Sequence, residues 1–550
     1  MLTILLVAVI FGQGQSCDYG KYFITAFPEN IAFYYPYIPS NYLKITALYN
    51  DTSVDVYSYN TLMFTSILQS GETENVSLNV QLYKFGHSSR SVIINSSDYI
   101  VVLSVSQQGD SMQTHVVQPL KNLDTFYTIP CLNYSEMIST FNKMGQNISK
   151  KNSLFRLVII NSEDVSNHVI IQKQQFPYTE IILDPNGLVQ LPINGSEIAI
   201  EADYKVAVLL THPCVETSSC RCNIVVNQLR PDFKWSNFFL LPSVVNMNET
   251  LLHVTSAMNI QLSGANLEPT NFEPYPSNLL SIPSLQSNSQ YILASDAVSL
   301  RIISPGLFIE LIPEYRFHAC YMVQFSSKHG EVLVIAETAY KDNVYIDNRL
   351  LSSTGWRPIA QSEYSSVSVT VEGDHVIWHS SSIIGVYMFE RMRSGILYGG
   401  PAIALKVEPD PLGCLLHSSG FEIIPTPMTW VQSYQNCMLT KGELFSPTSA
   451  EDQMLISNFL NDQEIKEDLW IGLRCSLFSL DWYWQKGNMS TYNVSYTHWA
   501  TGEPGDQVKG MCASTSPNPS NSIKDFPWKS VQCCTNLKSV CYRQAKYFSL

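Results

Sequence analysis

Short runs of alternating or continuous apolar residues dominate the chain from residue 17 to about residue 405. Examples are the runs 99–105, 156–160 and 330–336, which are rich in β-branched side chains. Each run has the length of a strand and is bounded by turn-forming residues, as at 184–187. Because helical spacing is nearly absent, the pattern predicts a mostly β region of β-sandwich-like units.

We divide this region into two β-rich units, 17–268 and 291–405. The segment between them, 269–290, is rich in Pro, Asn and Ser, which is typical of a hinge. A short linker, 406–413, follows the second unit. No sharper boundary is visible within the β-rich region.

The pattern becomes helical after the linker. Thr429 can cap one helix, and Ser449 with Asp452 forms a capping box at the start of a second helix. A third, separate domain is therefore predicted to span 414–550.

The first residues form an apolar run, Leu2 to Phe11, followed by the small and polar residues Gly12 to Ser16. This order is typical of a secretory signal peptide, 1–16, although no Lys or Arg precedes the apolar run. The alternative, a buried first strand, is disfavoured because the run does not alternate. No later stretch reaches the roughly 18 apolar residues of a membrane span, so we expect a secreted, extracellular protein.

Thirteen cysteines and nine Asn-x-Ser/Thr sequons also indicate an oxidising, glycosylating route. Because the number of cysteines is odd, at least one thiol stays free or pairs with another chain, which allows a disulfide-linked oligomer. The candidate glycosylation sites are Asn50, Asn75, Asn95, Asn133, Asn147, Asn194, Asn248, Asn488 and Asn493.

Three cysteines, Cys214, Cys220 and Cys222, lie close enough together to suggest zinc ligands. A disulfide is favoured instead, because the compartment oxidises thiols and the paired Cys-x-x-Cys spacing of zinc knuckles is missing. We therefore predict no metal at these residues.

The charge pattern and the motif content exclude several classes of function. The net charge of -14 is spread without blocks, which argues against a nucleic-acid groove. No nucleophile elbow, zinc-protease motif, phosphate loop or dinucleotide fingerprint is present, so we predict that the protein is not an enzyme. His212, His318 and His375 lie in or beside strand patterns and are interpreted as structural.

Residues 414–550 resemble the C-type-lectin-like domain. The resemblance rests on Trp470-Ile-Gly-Leu473, Trp482-Tyr-Trp484, Tyr496-Thr-His-Trp499 and ordered cysteines. It implies an α+β domain with disulfides Cys437–Cys541 and Cys512–Cys533. Cys414, Cys475 and Cys534 are additional, and the sequence does not say which of them pair.

The resemblance also implies a place for a sugar-binding calcium ion, which needs about 6 to 8 oxygen ligands. The family's Glu-Pro-Asn loop reads Glu503-Pro504-Gly505, with Asp506 as a substitute ligand, and its Trp-Asn-Asp motif reads Trp528-Lys529-Ser530. A lysine beside an incomplete ligand set repels the ion. We therefore expect no calcium at this site, and no other cofactor.

The β-rich region resembles the N-terminal domain of the IgG Fc-binding protein family. The carrying residues are dispersed: Gly20-Lys-Tyr-Phe23, Ala207 to Cys214, Val226 to Pro231, Ile384 to Phe389 and Tyr398-Gly-Gly400. The family implies a module of adhesion at mucosal or cell surfaces. Joined to a lectin-like domain, it resembles secreted recognition proteins of the roundworm type.

Two functions of different class follow from these resemblances. The first is an extracellular recognition protein that binds a glycan or a cell-surface protein without calcium, with a role in innate immune defence at epithelial surfaces. The second is a structural matrix or mucus component that is oligomerised by disulfides and has no specific ligand. A third alternative is an extracellular hydrolase, but no catalytic motif in the sequence supports it.

Overall fold

The structure is a computed structural model, and it contains two compact units. They comprise Met1–Cys414 with Phe548–Leu550, and Leu415–Tyr547; we call them the N-terminal and C-terminal units. The prediction of a mostly β chain is confirmed. The structure describes residues 17–31, 40–109, 111–145, 154–174, 178–218, 221–231, 235–241, 250–264, 267–273, 278–281, 290–352, 354–392, 395–440, 442–486, 491–505, 510–517 and 525–550.

One topology occurs three times in the N-terminal unit. In each case a long strand lies at the centre of a sheet, the first strand pairs with its beginning, and a hairpin strand pairs with its end. In the first sheet the order is β4-β3-β7-β2-β5, and β1 and β8 also pair with the long strand β7. The strands of this part of the chain are β1 (Gly20–Thr25), β2 (Ser40–Ala47), β3 (Thr52–Ser58), β4 (Thr61–Leu68), β5 (Thr73–Leu78), β6 (Gly86–Ser88), β7 (Val92–Gln108) and β8 (Ser111–Val116), of which β6 belongs to the second sheet.

The second sheet repeats this order around the long strand β14, with β6 added at one edge. Its further strands are β9 (Asp124–Thr128), β10 (Phe155–Asn161), β11 (Asn167–Lys173), β12 (Thr179–Leu183), β13 (Leu188–Ile193), β14 (Glu197–Ser218) and β15 (Arg221–Gln228). The helix α1 (Tyr134–Lys143) lies between β9 and β10. It begins at Asn133, whose side chain accepts hydrogen bonds from the amides of Ser135 and Glu136.

The third sheet is built around the long strand β21. Its strands are β16 (Ser236–Leu241), β17 (Leu251–Ser256), β18 (Ile260–Gly264), β19 (Leu267–Phe272), β20 (Asn278–Ser281), β21 (Gln290–Ser304) and β22 (Leu307–Glu310). The turn between β21 and β22 requires Gly306, which has a φ of +79° and whose added Cβ would lie 2.5 Å from Thr217.

The segment 269–290, predicted as a hinge, thus contains strands of this third sheet. Pairing of β18 with β19 and of β17 with β20 places the described part of the segment at both edges of the sheet. Its Pro- and Asn-rich composition is compatible with edge strands and with the turns that join them. Residues 274–277 and 282–289 lie outside the described residues.

The last part of the N-terminal unit forms two five-stranded sheets, ordered β26-β25-β29-β23-β32 and β27-β28-β24-β30-β31. The strands are β23 (Cys320–Val323), β24 (His329–Glu337), β25 (Val344–Ile346), β26 (Arg349–Leu350), β27 (Arg357–Pro358), β28 (Tyr364–Glu372), β29 (His375–His379), β30 (Ile384–Arg391), β31 (Leu397–Pro401) and β32 (Ile403–Lys406).

Four hairpin strands, β8, β15, β22 and β31, meet at the centre of the N-terminal unit, and we call them the inner strands. Each contacts two of the others, in the closed order β8, β15, β22, β31 and back to β8. The apolar cores follow the same cycle, because each joins neighbouring sheets. Each core contains residues of two neighbouring sheets. The four examples, in order round the cycle, are Ile24 of β1 with Leu209 of β14, Leu210 of β14 with Phe308 of β22, Ile302 of β21 with Tyr387 of β30, and Val332 of β24 with Leu103 of β7. The N-terminal unit is therefore a ring of packed sheets.

The C-terminal unit combines two helices with an eight-stranded sheet of order β34-β41-β36-β37-β38, to which β35, β39 and β40 add. The elements are β33 (Cys414–His417), β34 (Gly420–Met428), α2 (Trp430–Leu439), β35 (Glu443–Leu444), α3 (Ala450–Asp462), β36 (Leu469–Cys475), β37 (Trp482–Gln485), β38 (Thr491–Asn493), β39 (Cys512–Thr515), β40 (Trp528–Val531), β41 (Leu537–Arg543) and β42 (Lys546–Phe548). Thr429 and Ser449 form capping boxes at the starts of α2 and α3, as the sequence predicts. Within the described residues, no helix is long and apolar enough to span a membrane.

Candidate functional site

Buried aromatic residues and two disulfides position the loops of the C-terminal unit. Trp430, Trp470, Trp484 and Trp528 are almost completely buried, and the Trp528 indole donates to Gln453 at 2.9 Å. The structure brings Cys437 to Cys541 and Cys512 to Cys533, with Cα separations of 5.5 and 5.1 Å. These links tie α2 to β41 and β39 to the segment that follows β40.

The carboxylate of Glu503 is hydrogen-bonded through one of its oxygens to its own loop and to β40. One oxygen, Oε2, accepts hydrogen bonds from the amide of Gly505 at 2.8 Å and from the amide of Ser530 at 3.1 Å. The Ser530 hydroxyl donates to the same oxygen at 2.5 Å. Burial opposes ionisation of Glu503, but these hydrogen bonds and the charge of Lys529 outweigh it, so the pKa of Glu503 lies below its ordinary value.

Lys529 directs its ammonium towards a carboxylate of the same unit. Its Nζ lies 3.5 Å from Oδ1 of Asp468, and both side chains are partly exposed. The sequence identified Lys529 as a cation at the ion position but did not identify Asp468 as its partner. Glu503, Ser530, Lys529 and Asp468 thus form a partly exposed polar cluster with contacts inside the C-terminal unit, which we call the closed loop cluster.

The geometry of the closed loop cluster provides few oxygen atoms for a metal ion. Gly505 supplies no side-chain oxygen, and the Ser530 hydroxyl oxygen already accepts a hydrogen bond from the amide of Gly505 at 3.1 Å. Among the described residues, no group of three His, Cys, Asp or Glu side chains could hold a metal ion. Asp506, the proposed substitute ligand, lies outside the described residues.

A histidine and a carboxylate form a second polar feature of the same unit. Nε2 of His498 lies 2.8 Å from Oδ1 of Asp525, and the imidazole is stacked with Tyr496. The backbone oxygen of His498 accepts a hydrogen bond from Trp528, so the pair is held against β40. Sequence analysis did not predict this pair, because His498 and Asp525 are 27 residues apart.

An exposed apolar loop connects β36 to β37, at 476–481. Phe478 is 100% exposed and Leu477 is 70% exposed, so two large apolar side chains lie next to each other on the surface of this loop. The loop is ordered by Ser476, whose hydroxyl accepts hydrogen bonds from the amides of Phe478 and Ser479 at 3.3 Å. Sequence reasoning missed it, although the run Leu-Phe-Ser-Leu between two strand patterns is its signal.

The remaining cysteines form two disulfides that the sequence left open. Cys214 pairs with Cys222, whereas Cys414 pairs with Cys320, a residue outside the predicted candidates. Cys475 is buried and Cys534 is exposed, and neither forms a disulfide in the structure. Cys220 lies outside the described residues.

The predicted glycosylation sites that the structure describes are accessible to different extents. Asn95 is half-buried, and the other described sites are exposed: Asn50, Asn75, Asn133, Asn194 and Asn493. Asn147, Asn248 and Asn488 lie outside the described residues.

Comparisons with known proteins identify two kinds of relative. Residues 426–543 match the family described as Lectin C-type domain. The human IgGFc-binding protein is 22% identical over 376 residues, which cover 63% of this chain and 7% of that protein. The C-type lectin lectoxin-Lio3 of Erythrolamprus poecilogyrus is 32% identical over 97 residues, which cover 17% of this chain and 58% of that protein.

Human lithostathine is a similar solved structure, with 24% sequence identity and a TM-score of 0.20. The match covers 23% of this chain and 85% of lithostathine. The predicted C-type-lectin-like domain and the predicted similarity to IgGFc-binding protein are thus confirmed by the family match and by the human relative.

Proposed function

We propose that the protein is a secreted, extracellular recognition protein whose C-terminal unit binds a glycan or a cell-surface protein without calcium and catalyses no reaction. The observation that carries the proposal is the closed loop cluster. Oε2 of Glu503, the carboxylate kept from the family's sugar-binding loop, accepts hydrogen bonds from Ser530 and Gly505. A calcium ion would have to replace these hydrogen bonds while lacking the side-chain oxygens missing at Gly505.

The apolar loop at 476–481 supplies a contact surface of the kind that calcium-free recognition needs. Large apolar and aromatic side chains dominate the energetics of protein interfaces, and the backbone that carries Phe478 is already hydrogen-bonded to Ser476. A pre-ordered loop loses little conformational entropy on binding. This favours a ligand with an apolar or aromatic-stacking surface.

Calorimetry and a glycan array test the proposal. Titration of calcium into the purified full chain is expected to give no heat at micromolar concentration, and array binding is expected to be unchanged by a chelator. Phe478→Ser is expected to weaken ligand binding about tenfold or more, and Leu439→Ser, at the 82% exposed last residue of α2, is the matched control. Micromolar calcium binding that Glu503→Ala abolishes would overturn the proposal.

A variant that restores the family's ligands provides a positive control. Gly505→Asn, Lys529→Asn and Ser530→Asp together return side-chain oxygens to three positions of the site. This triple variant is expected to bind calcium measurably more tightly than the native chain, because Glu503 is then released to the ion. If the triple variant also fails to bind, the lost ligands alone do not explain the behaviour of the native site.

We infer secretion from residues 1–16, which lie outside the described part of the chain, and a role in innate defence at epithelial surfaces from the resemblance to roundworm recognition proteins. Four disulfides support an oxidising compartment. Recovery of the protein from culture medium with an amino terminus at residue 15 or 17 would support secretion.

One observation favours the second candidate function, a disulfide-linked matrix component. Cys534 is exposed and forms no disulfide within the described residues, so its thiol can react with another chain. Gel electrophoresis without reductant is expected to show multimers that Cys534→Ser removes. Buried Cys475→Ser is the matched control, and an all-monomer pattern for the native chain contradicts this candidate.

A further inference from the structure

A polar cavity lies at the centre of the N-terminal unit, between the four inner strands. Its volume is about 60 Å³, and its lining includes residues of β8, β15, β22 and β31. The centre of a ring of sheets is usually filled by apolar side chains, but this lining is rich in amides and charged groups. The polar residues of the lining used below are Asp18, Gln113, His115, Gln228, Arg230 and Glu310.

Several of these polar side chains have atoms that no described residue satisfies. Gln113 and Gln228 are 3% and 7% exposed, and Gln113 Oε1 and Gln228 Nε2 are buried without a hydrogen-bond partner. Nε2 of His115 is likewise buried without a hydrogen-bond partner. A buried polar atom without a partner costs about 1 to 3 kcal/mol, so a group that supplies both donors and acceptors is expected to bind here.

Arg230 adds an unneutralised positive charge to this lining. It is half-buried and makes no hydrogen bond or ion pair with any residue that the structure describes. Burial and the charge of Arg230 lower the pKa of the neighbouring Arg316, which shows that the two cations act on each other. An arginine in this state can bind a carboxylate or sulfate group in a bidentate manner.

The two carboxylates of the cavity are already committed to other groups. Asp18 accepts hydrogen bonds from the Gln118 side chain at 3.1 Å and from the amide of Ala404 at 2.9 Å. Glu310 accepts from Ser299 at 3.3 Å and lies 3.7 Å from Arg301. Neither forms an ion pair with Arg230, so the positive charge there is available to an external anion.

We propose that this cavity is a binding site for a small oxyanion, the carboxylate or sulfate group of a ligand such as an acidic sugar. Arg230 and the Gln228 amide donate to the anion, and Gln113 Oε1 accepts from a hydroxyl group of the ligand. The volume suits the charged head of a ligand, since a single water site takes about 10 to 15 Å³. The site is independent of the lectin-like domain and of its function.

Thermal unfolding of the full chain tests the site, with sodium acetate, sodium sulfate and sodium glucuronate compared with sodium chloride at constant ionic strength. Acetate or sulfate is expected to raise the Tm of the N-terminal unit in the native chain and in the control Arg349→Met, whose arginine is exposed on an edge strand. Arg230→Met is expected to weaken this response about tenfold or more. A response to acetate alone identifies carboxylate, and a stronger response to glucuronate identifies an acidic sugar.

Equal responses in all three proteins, or none in the native chain, would overturn the proposal. Because Arg230→Met can fail to fold, crystals of the native chain grown with selenate provide a second measurement. The proposal requires an anomalous peak within hydrogen-bonding distance of Arg230. Selenate bound only at the surface, with ordered water in the cavity, contradicts it.

Discussion

A buried lysine connects two parts of the N-terminal unit that are distant in sequence. Lys44 of β2 is 8% exposed, and its ammonium lies 2.8 Å from the backbone oxygen of Phe325 and 2.7 Å from Asp374. Asp374 also accepts a hydrogen bond from the amide of Phe325 at 3.0 Å. These contacts join the first sheet to the last part of the unit, over some 330 residues of sequence.

Lys44→Met is expected to destabilise the N-terminal unit by about 3 to 5 kcal/mol, because Asp374 would be left partly buried without its cation. Lys21→Met is the matched control on the same sheet. Lys21 forms a more exposed pair with Asp98 at 3.6 Å, and its loss is expected to cost less than about 1 kcal/mol. Chemical unfolding of both variants checks the difference. Equal losses would contradict the role assigned to Lys44.

The caps of the helices could be predicted from the sequence, whereas the sheets could be predicted only in part. A cap depends on residues three positions apart, so Thr429 and Ser449 could be recognised locally. The three sheets could not be recognised as repeats from the sequence. They share the same strand order, but their long strands differ in length and contain 17, 22 and 15 residues. Likewise, the hydrogen bond between Ser530 and Glu503 joins positions 27 residues apart, on a strand and a loop that only the folded chain brings together.

Ser449→Ala is expected to destabilise the C-terminal unit by about 1 kcal/mol, because the amide of Asp452 loses its hydrogen-bond acceptor at the start of α3. Asn458→Ala, at an exposed position within the same helix, is the control and is expected to be neutral or slightly stabilising. Tryptophan fluorescence during urea unfolding follows this unit, since six of the nine tryptophans lie in it. An unchanged midpoint for Ser449→Ala would argue against the capping box.

Buried histidines are expected to make the stability of the whole N-terminal unit sensitive to acid. Burial lowers the pKa of His115 and His318 to about 4, and that of His212 and His253 to about 3. His212 is stacked on Tyr134 with ring centroids 4.2 Å apart, and its place in the core confirms the structural role predicted from sequence. All four side chains are neutral at pH 7 in the folded chain.

The unfolded chain binds more protons than the folded chain once the pH falls below about 6.5, the ordinary pKa of histidine. Stability of the N-terminal unit is therefore expected to fall between pH 6.5 and about 4, by up to roughly 1.4 kcal/mol per pH unit for each buried histidine. Thermal unfolding across this range measures the slope. His212→Phe keeps a ring against Tyr134 and is expected to reduce the slope, and an unchanged slope would show that His212 does not contribute.

The closed order of the inner strands has a consequence for synthesis of the chain. Asp18 and Ala404 are hydrogen-bonded to each other although they are 386 residues apart. At about 5 to 20 residues per second, a ribosome needs roughly 20 to 80 s to proceed from one to the other. During that interval the strands that pack last are not yet synthesised, so we expect the nascent chain to need protection from aggregation until they emerge.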